Sequence, residues 1–451
     1  MRSALVLASI GASVSLVEGL LLEKKDNPSV VGFDVTKRSR APRHDVSLRR
    51  RDKTASLTLT NDVDMYVANI SLGTPKQKIQ VILDTGSSDL WVNTRESCDS
   101  NDNYGNECLA YGIYDANTSS TYVFDNSDFD ISYADDSGAA GDYVNDTLTL
   151  GSDTVKDFQF GVAYDSDSAQ GVFGIGYALN EAELEYTDTT YPNLPEALVN
   201  AGLINTPAYS LWLDDLDASS GSILFGGVNS GKYTGELQTL PIIPYEKTYY
   251  VYFMIALTGM SIDSGDKTTS ISGSSNFPQG AILDSGTSLT YLSDPITKQI
   301  FDALNVTYVT SEGLGYVPCS YANADVNVTF TFTSPAITVS LSQLVLDAGG
   351  VTYKDGVEAC NFGIAPMGNT TNEALLGDTF LRSAYVVYDL ANNEISLANT
   401  DFSSSSTNDI KEIAKGSSSI PGATAVSNPV TTLGTPTATV THRVEHLARR
   451  L

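Results

Sequence analysis

The sequence predicts an all-β fold of two homologous, β-rich lobes, bilobal about a cleft and carrying a few short helices. Three observations predict it. A seven-residue motif occurs twice, as Ile82-Leu83-Asp84-Thr85-Gly86-Ser87-Ser88 and as Ile282-Leu283-Asp284-Ser285-Gly286-Thr287-Ser288, 200 positions apart. Each copy is followed by an apolar-apolar-Gly element, Val172-Phe173-Gly174 after 90 residues and Leu375-Leu376-Gly377 after 93. Between them run short apolar stretches bounded by turn residues, such as Ile79-Gln80-Val81-Ile82-Leu83 and Tyr385-Val386-Val387-Tyr388, in a chain with 36 glycines. At 451 residues the chain is long enough for more than one core.

Taken from the start, Met1-Arg2-Ser3 and the apolar run that continues to Val17 read as a secretory signal over residues 1–19. Residues 20–51 form a basic prosegment, with nine Lys/Arg against four Asp/Glu and dibasic sites at Lys37-Arg38 and Arg49-Arg50-Arg51. The folded body follows as an N-terminal lobe over 52–232 and a C-terminal lobe over 233–402. Two helices are expected within it. One starts at Pro195 and stops at Gly202, with proline early and glycine just past the end. The other takes Asp294 as its N-cap, has Pro295 in its first turn and runs through Leu304. From Ser403 the composition turns to Ser, Thr, Pro, Gly and Ala, which predicts a disordered tail over 403–451. The last residues are polar, unlike a lipid-anchor signal.

Secretion makes the four cysteines legible as two disulfides. Three pairings are open to Cys98, Cys108, Cys319 and Cys360, and the nearest-neighbour one is adopted as the expectation. Six sequons, at Asn69, Asn117, Asn145, Asn305, Asn327 and Asn369, suit a secreted glycoprotein, although Asn69 lies inside an apparent strand where modification is less expected.

Charge and histidine content exclude whole classes of function. Beyond Arg51 there are 16 Lys/Arg against 49 Asp/Glu, a formal charge near −33. Nucleic acid and anionic membrane would repel such a body, and no segment after the signal is apolar enough to span a bilayer. Acid suits it, because falling pH neutralises the carboxylates while few basic groups remain to repel one another. The only histidines are His44, His442 and His446, all outside the body. Ser-His-Asp and Cys-His mechanisms and His-based zinc sites therefore lack their base or ligand, and no metal or other cofactor is expected. Any hydrolytic chemistry must run on carboxylates.

The repeat supplies two. Each copy ends an apolar strand on an aspartate, Asp84 or Asp284, in a partly desolvated place. Gly86 and Gly286 let the backbone turn sharply, and the hydroxyls of Thr85, Ser87, Ser285 and Thr287 can orient the carboxylates and bridge the two loops. Two carboxylates face to face cannot both ionise cheaply, so such a pair holds one proton across a broad acidic range. The ionised member then takes a proton from a water between them while the other donates toward a scissile carbonyl.

These residues resemble the pepsin family of aspartic proteases over roughly residues 60–402, above all its secreted fungal branch of candidapepsins and yapsins. The matching stretches are 82–92, which includes Asp89-Leu90-Trp91-Val92, then 281–292, 171–177 and 375–382. The resemblance implies a pepsin-like fold and an endopeptidase made as a zymogen, acting on proteins or peptides at acidic pH, extracellular or cell-wall associated, and monomeric. It implies that residues 131–137 are the active-site flap, with Tyr133 the flap tyrosine and Trp91 its hydrogen-bond partner. It also supports the pairings Cys98–Cys108 and Cys319–Cys360. Ala134 and Asp136 stand where the family usually has glycine, which bears on the flap's freedom.

Two further expectations follow. The prosegment should cover the cleft at neutral pH, leaving in acid, with processing after Lys37-Arg38 or Arg51. The cleft should hold an extended peptide against Tyr133, Ile82 and Val172, while Asp135 and Asp136 on the flap, with Asp99, Asp102 and Glu107 in the small disulfide loop, point to tolerance of, or preference for, Lys or Arg near the scissile bond.

Overall fold

A computed structural model describes residues 30–433 apart from 40–63, 101–104, 136, 246–248, 272, 274–276, 369–372 and 404–407. The signal segment, most of the prosegment, Asp102, Asp136, Asn369 and the chain beyond residue 433 lie outside the described residues.

Both lobes are built on one three-strand unit. In the first, Gln77–Asp84 runs parallel to Gly171–Gly174, which lies antiparallel to Leu90–Asn93. In the second, Gln279–Leu283 runs parallel to Glu373–Leu376, which lies antiparallel to Thr290–Leu292. Every residue of Gly171–Gly174 and of Leu90–Asn93 is buried, as their near-continuous apolar sequence demands of strands covered on both faces. The units end at Asp84 and Asp284, so the fold delivers the two aspartates by the same route.

A 14-stranded sheet links the lobes, from Val123–Ser132 at one edge to Ala423–Ala425 at the other. It includes Ala208–Trp212 beside Ala384–Asp389. Their residues Tyr209 and Tyr388 stack with centroids 4.9 Å apart in the main core.

The two helices form close to where proline and glycine put them. Leu194–Asn200 has Asn193 as its N-cap and is followed by Gly202 at φ +71°, a backbone conformation that favours glycine. Asp294–Leu304 corrects the expected cap, since Ser293 occupies that position and Asp294 is already helical. The disulfides Cys98–Cys108 and Cys319–Cys360 are both present. Of the sequons, Asn117 and Asn305 are exposed and Asn145 and Asn327 half-buried; Asn69 is indeed in a strand, Asp64–Leu72, but on its exposed side.

Two segments outside the expected lobes carry structure that their composition does not suggest. Part of the segment assigned to the prosegment, Val31–Ser39, is a strand inside the large sheet, between Ser220–Phe225 and Asp64–Leu72. Val31 and Val35 are buried and Phe33 packs on Phe173 and Phe225, an apolar alternation that the nearby basic residues disguise. The tail expected to be disordered from Ser403 is ordered over 408–433. Ile410–Glu412 pairs with Gly227–Asn229, and Ala423–Ala425 pairs in parallel with Tyr233–Pro241. Ile413, Ile420 and Val426 are buried, and these sparse anchors suffice because an extended segment can borrow its remaining core from the lobe it lies on.

Candidate active site

The two aspartate loops meet back to back and are tied reciprocally. Thr85 Oγ1 donates to the Leu283 carbonyl at 2.9 Å, and Ser285 Oγ donates to the Leu83 carbonyl at 2.9 Å. The Ser285 N–H donates to Thr85 Oγ1 at 2.9 Å, and the Thr85 N–H to Ser285 Oγ at 3.2 Å. All four bonds are buried, so each fixes the separation of the lobes where the chemistry lies.

Each carboxylate then takes the same pair of donors from its own loop. Asp84 Oδ1 accepts from the Gly86 N–H at 2.7 Å and Oδ2 from the Ser87 hydroxyl. Asp284 Oδ1 accepts from the Gly286 N–H at 2.8 Å and Oδ2 from the Thr287 hydroxyl at 2.7 Å. Glycine is required at both turns by close approach. A Cβ on Gly86 would stand 2.6 Å from the Asp284 carboxyl, and one on Gly286 would stand 2.4 Å from Asp84 Oδ1. Each turn thus abuts the opposite carboxylate, and the two aspartates face each other.

Burial, and then the facing Asp284 charge, hold Asp84 well above the usual carboxylate range, to about 8, against the downward pull of Ser87 and Gly86. Two carboxyl groups brought this close repel each other when both are charged.

The segment expected as the flap is the hairpin of Val123–Ser132 and Gly138–Leu150, closed where the Tyr133 N–H donates to the Ser137 carbonyl at 2.8 Å. Trp91 Nε1 donates to the Tyr133 hydroxyl at 2.7 Å. Ile82, Val172, Trp91, Phe129 and Tyr133 pack in one cluster, so the expected wall residues do come together. Asp135 does not reach toward them. Its Oδ1 accepts from the Ser137 N–H at 3.1 Å and the Ser137 hydroxyl at 2.6 Å, a turn that occupies the carboxylate within the flap itself. Asp99 and Glu107 are exposed beside the small disulfide.

Sequence reasoning missed a buried network behind the first loop. Asp89 is fully buried and accepts from the Tyr143 and Tyr191 hydroxyls, each at 2.8 Å, and from the Ala182 N–H at 2.9 Å. The Tyr191 N–H donates to Glu181 Oε2 at 3.0 Å, and burial pushes Glu181 up to about 10. Nearby, Asn180 Nδ2 donates to the Gly86 carbonyl at 2.9 Å, bracing the first aspartate turn. A signal was available: the position of Asp89 in the first copy of the repeat holds Leu289 in the second.

Residues 65–400 match the eukaryotic aspartyl proteases. The chain belongs to that family. It is an aspartic-type endopeptidase, 53% identical over 437 residues to a probable aspartic-type endopeptidase, opsB, of Aspergillus oryzae, covering 96% of this chain and 88% of that one. An acid protease of Saccharomycopsis fibuligera is 36% identical over 414 residues, covering 88% and 98%. The fold is that of the aspartic proteinase from Irpex lacteus, with a TM-score of 0.62 over 84% of this protease and all of the Irpex chain, at 23% identity.

Proposed function

We propose that Asp84 and Asp284 are the catalytic pair of this secreted endopeptidase, sharing one proton and activating one water against the scissile carbonyl of a bound peptide. The observation that carries the reading is the contact of each glycine turn with the opposite carboxyl group. The two acids then border one small volume, and matched N–H and hydroxyl donors hold them there. The ionised carboxylate takes the water proton as the oxygen attacks. The protonated one donates to the carbonyl oxygen, giving a tetrahedral diol with no covalent link to the enzyme. The raised affinity of Asp84 for its proton supports work in acid, where one of the two stays protonated. The apolar cluster under Tyr133, and the turn that engages Asp135, support selection of apolar side chains over basic ones near the scissile bond.

The proposed catalysis is tested by digestion of a denatured protein at pH 3–5. Asp284→Asn should lose at least about a thousandfold in kcat, and near-wild-type cleavage by the variant would end the proposal.

The protein is made as a zymogen on this reading, and processing falls after Arg51. Lys37 and Arg38 lie within a paired strand, with Lys37 Nζ donating to the Leu216 carbonyl and the Arg38 guanidinium 4.5 Å from the Tyr111 ring centre. A strand so held resists entry into a protease cleft. N-terminal sequencing of the mature enzyme should begin at Asp52, and a start at Ser39 would overturn this.

A further inference from the structure

Side chains alternate along a strand, so Ile82 and Asp84 share one face of the first catalytic strand, and Gly280 and Ile282 share the face that leads to Asp284 in the second. Ile82 is paired with Val172, and both lie under the flap with Tyr133. Ile282 is paired with Leu375 in the same way, but the flap belongs to the other lobe. Ile282 is paired on its other side with Met254 and shares an apolar cluster built on Ile243, Met254 and Ala256 with Tyr252 and with Val430 and Leu433 from far along the chain. A Cβ on Gly280 would stand 2.9 Å from Leu433 Cδ1, so Leu433 lies over the Asp284-bearing face itself. Gly280 is four residues from Asp284, about 13 Å along an extended chain.

We propose that residues 427–433 form a strap over the Asp284 half of the cleft, where Val430 and Leu433 fill apolar ground that a substrate side chain would otherwise occupy. The inference rests on the reading of Asp84 and Asp284 as the catalytic pair. The base of the strap is firm. Ile413 and Ile420 are buried in a cluster that draws Trp212 and Val228 from one lobe and Tyr385 and Val387 from the other, and the Val426 N–H donates to the Thr239 carbonyl at 2.9 Å. Asn428 then turns the chain at φ +52°, and the Val430 N–H reaches the Thr333 hydroxyl at 3.4 Å. Beyond that turn the hold is weaker, since Val430 and Leu433 are only half-buried and Thr431 and Thr432 are exposed. Such an occupant is displaced by a ligand with a larger apolar side chain, and the enzyme meets every substrate with a competitor already in place. The flap and the strap then cover corresponding strands of the two lobes, one from a hairpin within its lobe and the other from the end of the chain.

The test compares the processed wild-type enzyme, Val430→Ser/Leu433→Ser and a truncation after Val426 on two quenched peptides, with Leu or Gly following the scissile bond. Both variants should lower KM for the Leu peptide about tenfold at similar kcat and leave the Gly peptide nearly unchanged. A synthetic peptide of residues 427–438 should inhibit the truncated enzyme competitively. Unchanged KM in the double variant, with an unchanged melting temperature, would overturn the strap, as would a rise in KM; the double variant decides if the truncation does not fold. Should wild type and Asp284→Asn prove equally inactive or equally active, the catalytic reading fails instead, and the two failures are distinguishable.

Discussion

The two aspartate loops are near-copies in their first seven residues and diverge at the eighth, where Asp89 faces the interior of one lobe and Leu289 the interior of the other. Leu289 sits among Tyr291, Leu346 and Ala365 in an apolar cluster. Asp89 gathers two tyrosine hydroxyls and a backbone N–H. The difference follows from what each loop must support. The second loop needs only a packed floor. The first lies next to Trp91, whose indole holds Tyr133, and directional hydrogen bonds fix an orientation more narrowly than apolar contact does. The two aspartate turns match, and what supports them does not.

Exchanging the two residues gives the largest effect. Asp89→Leu strands three buried donors and should destabilise the protein by about 3–5 kcal/mol, read as a fall in chemical-denaturation midpoint at pH 4. Leu289→Asp buries a carboxyl without those donors and should cost a similar amount, growing as pH rises and the group is asked to ionise. If either exchange is neutral, the asymmetry is incidental.

Glu181 sharpens the comparison through pH. Its folded pKa is raised by burial above the ordinary 4.5, so its contribution to stability is fully present below the unfolded value and is lost as pH rises toward about 10. By pH 7 the loss amounts to at most about 3 kcal/mol. Glu181→Gln should therefore flatten the decline in melting temperature between pH 4 and 7; an unaltered slope would remove Glu181 from the account.

Tyr133→Phe is milder. It leaves the Trp91 N–H without its partner at 2.7 Å and should lower kcat/KM roughly tenfold to fiftyfold while shifting stability by about 1 kcal/mol. A loss confined to stability, with kinetics intact, would mean that the flap does not depend on this bond.

The paired aspartate loops were legible because one motif is written twice, with similar neighbours and a similar interval. The flap pair of Tyr133 and Trp91 was legible only through family resemblance, since nothing local distinguishes Tyr133 from a packing residue. Asp89 was hidden because its partners Tyr143 and Tyr191 lie 54 and 102 residues away, and an isolated aspartate after two serines reads as a turn. The ordered segments flanking the body were overlooked for a related reason. Val31, Phe33 and Val35 are embedded in basic sequence, and Ile413, Ile420 and Val426 are spread through Ser/Thr-rich sequence. Composition averaged over a window drowns sparse anchors, although two or three buried side chains suffice to dock a segment onto an existing sheet.

The smallest expected effect tests the symmetry of the chemistry itself. Ser87 and Thr287 occupy equivalent places, each donating its hydroxyl to Oδ2 of its own aspartate. The Ser87 bond favours the ionised form of Asp84 and lowers its pKa, against burial and the Asp284 charge that raise it. Removing the hydroxyl in Ser87→Ala takes away a lowering influence, so the proton on the pair is held more tightly. Activity requires one of the two to be ionised, and the acid limb of the kcat/KM profile should move to higher pH by roughly half to one unit. Thr287→Ala should move the same limb in the same direction by a similar amount, because a shared proton reports on both carboxylates whichever one loses its donor. If only one variant shifts the limb, the two aspartates titrate independently, and the single-proton pair gives way to two separate acids.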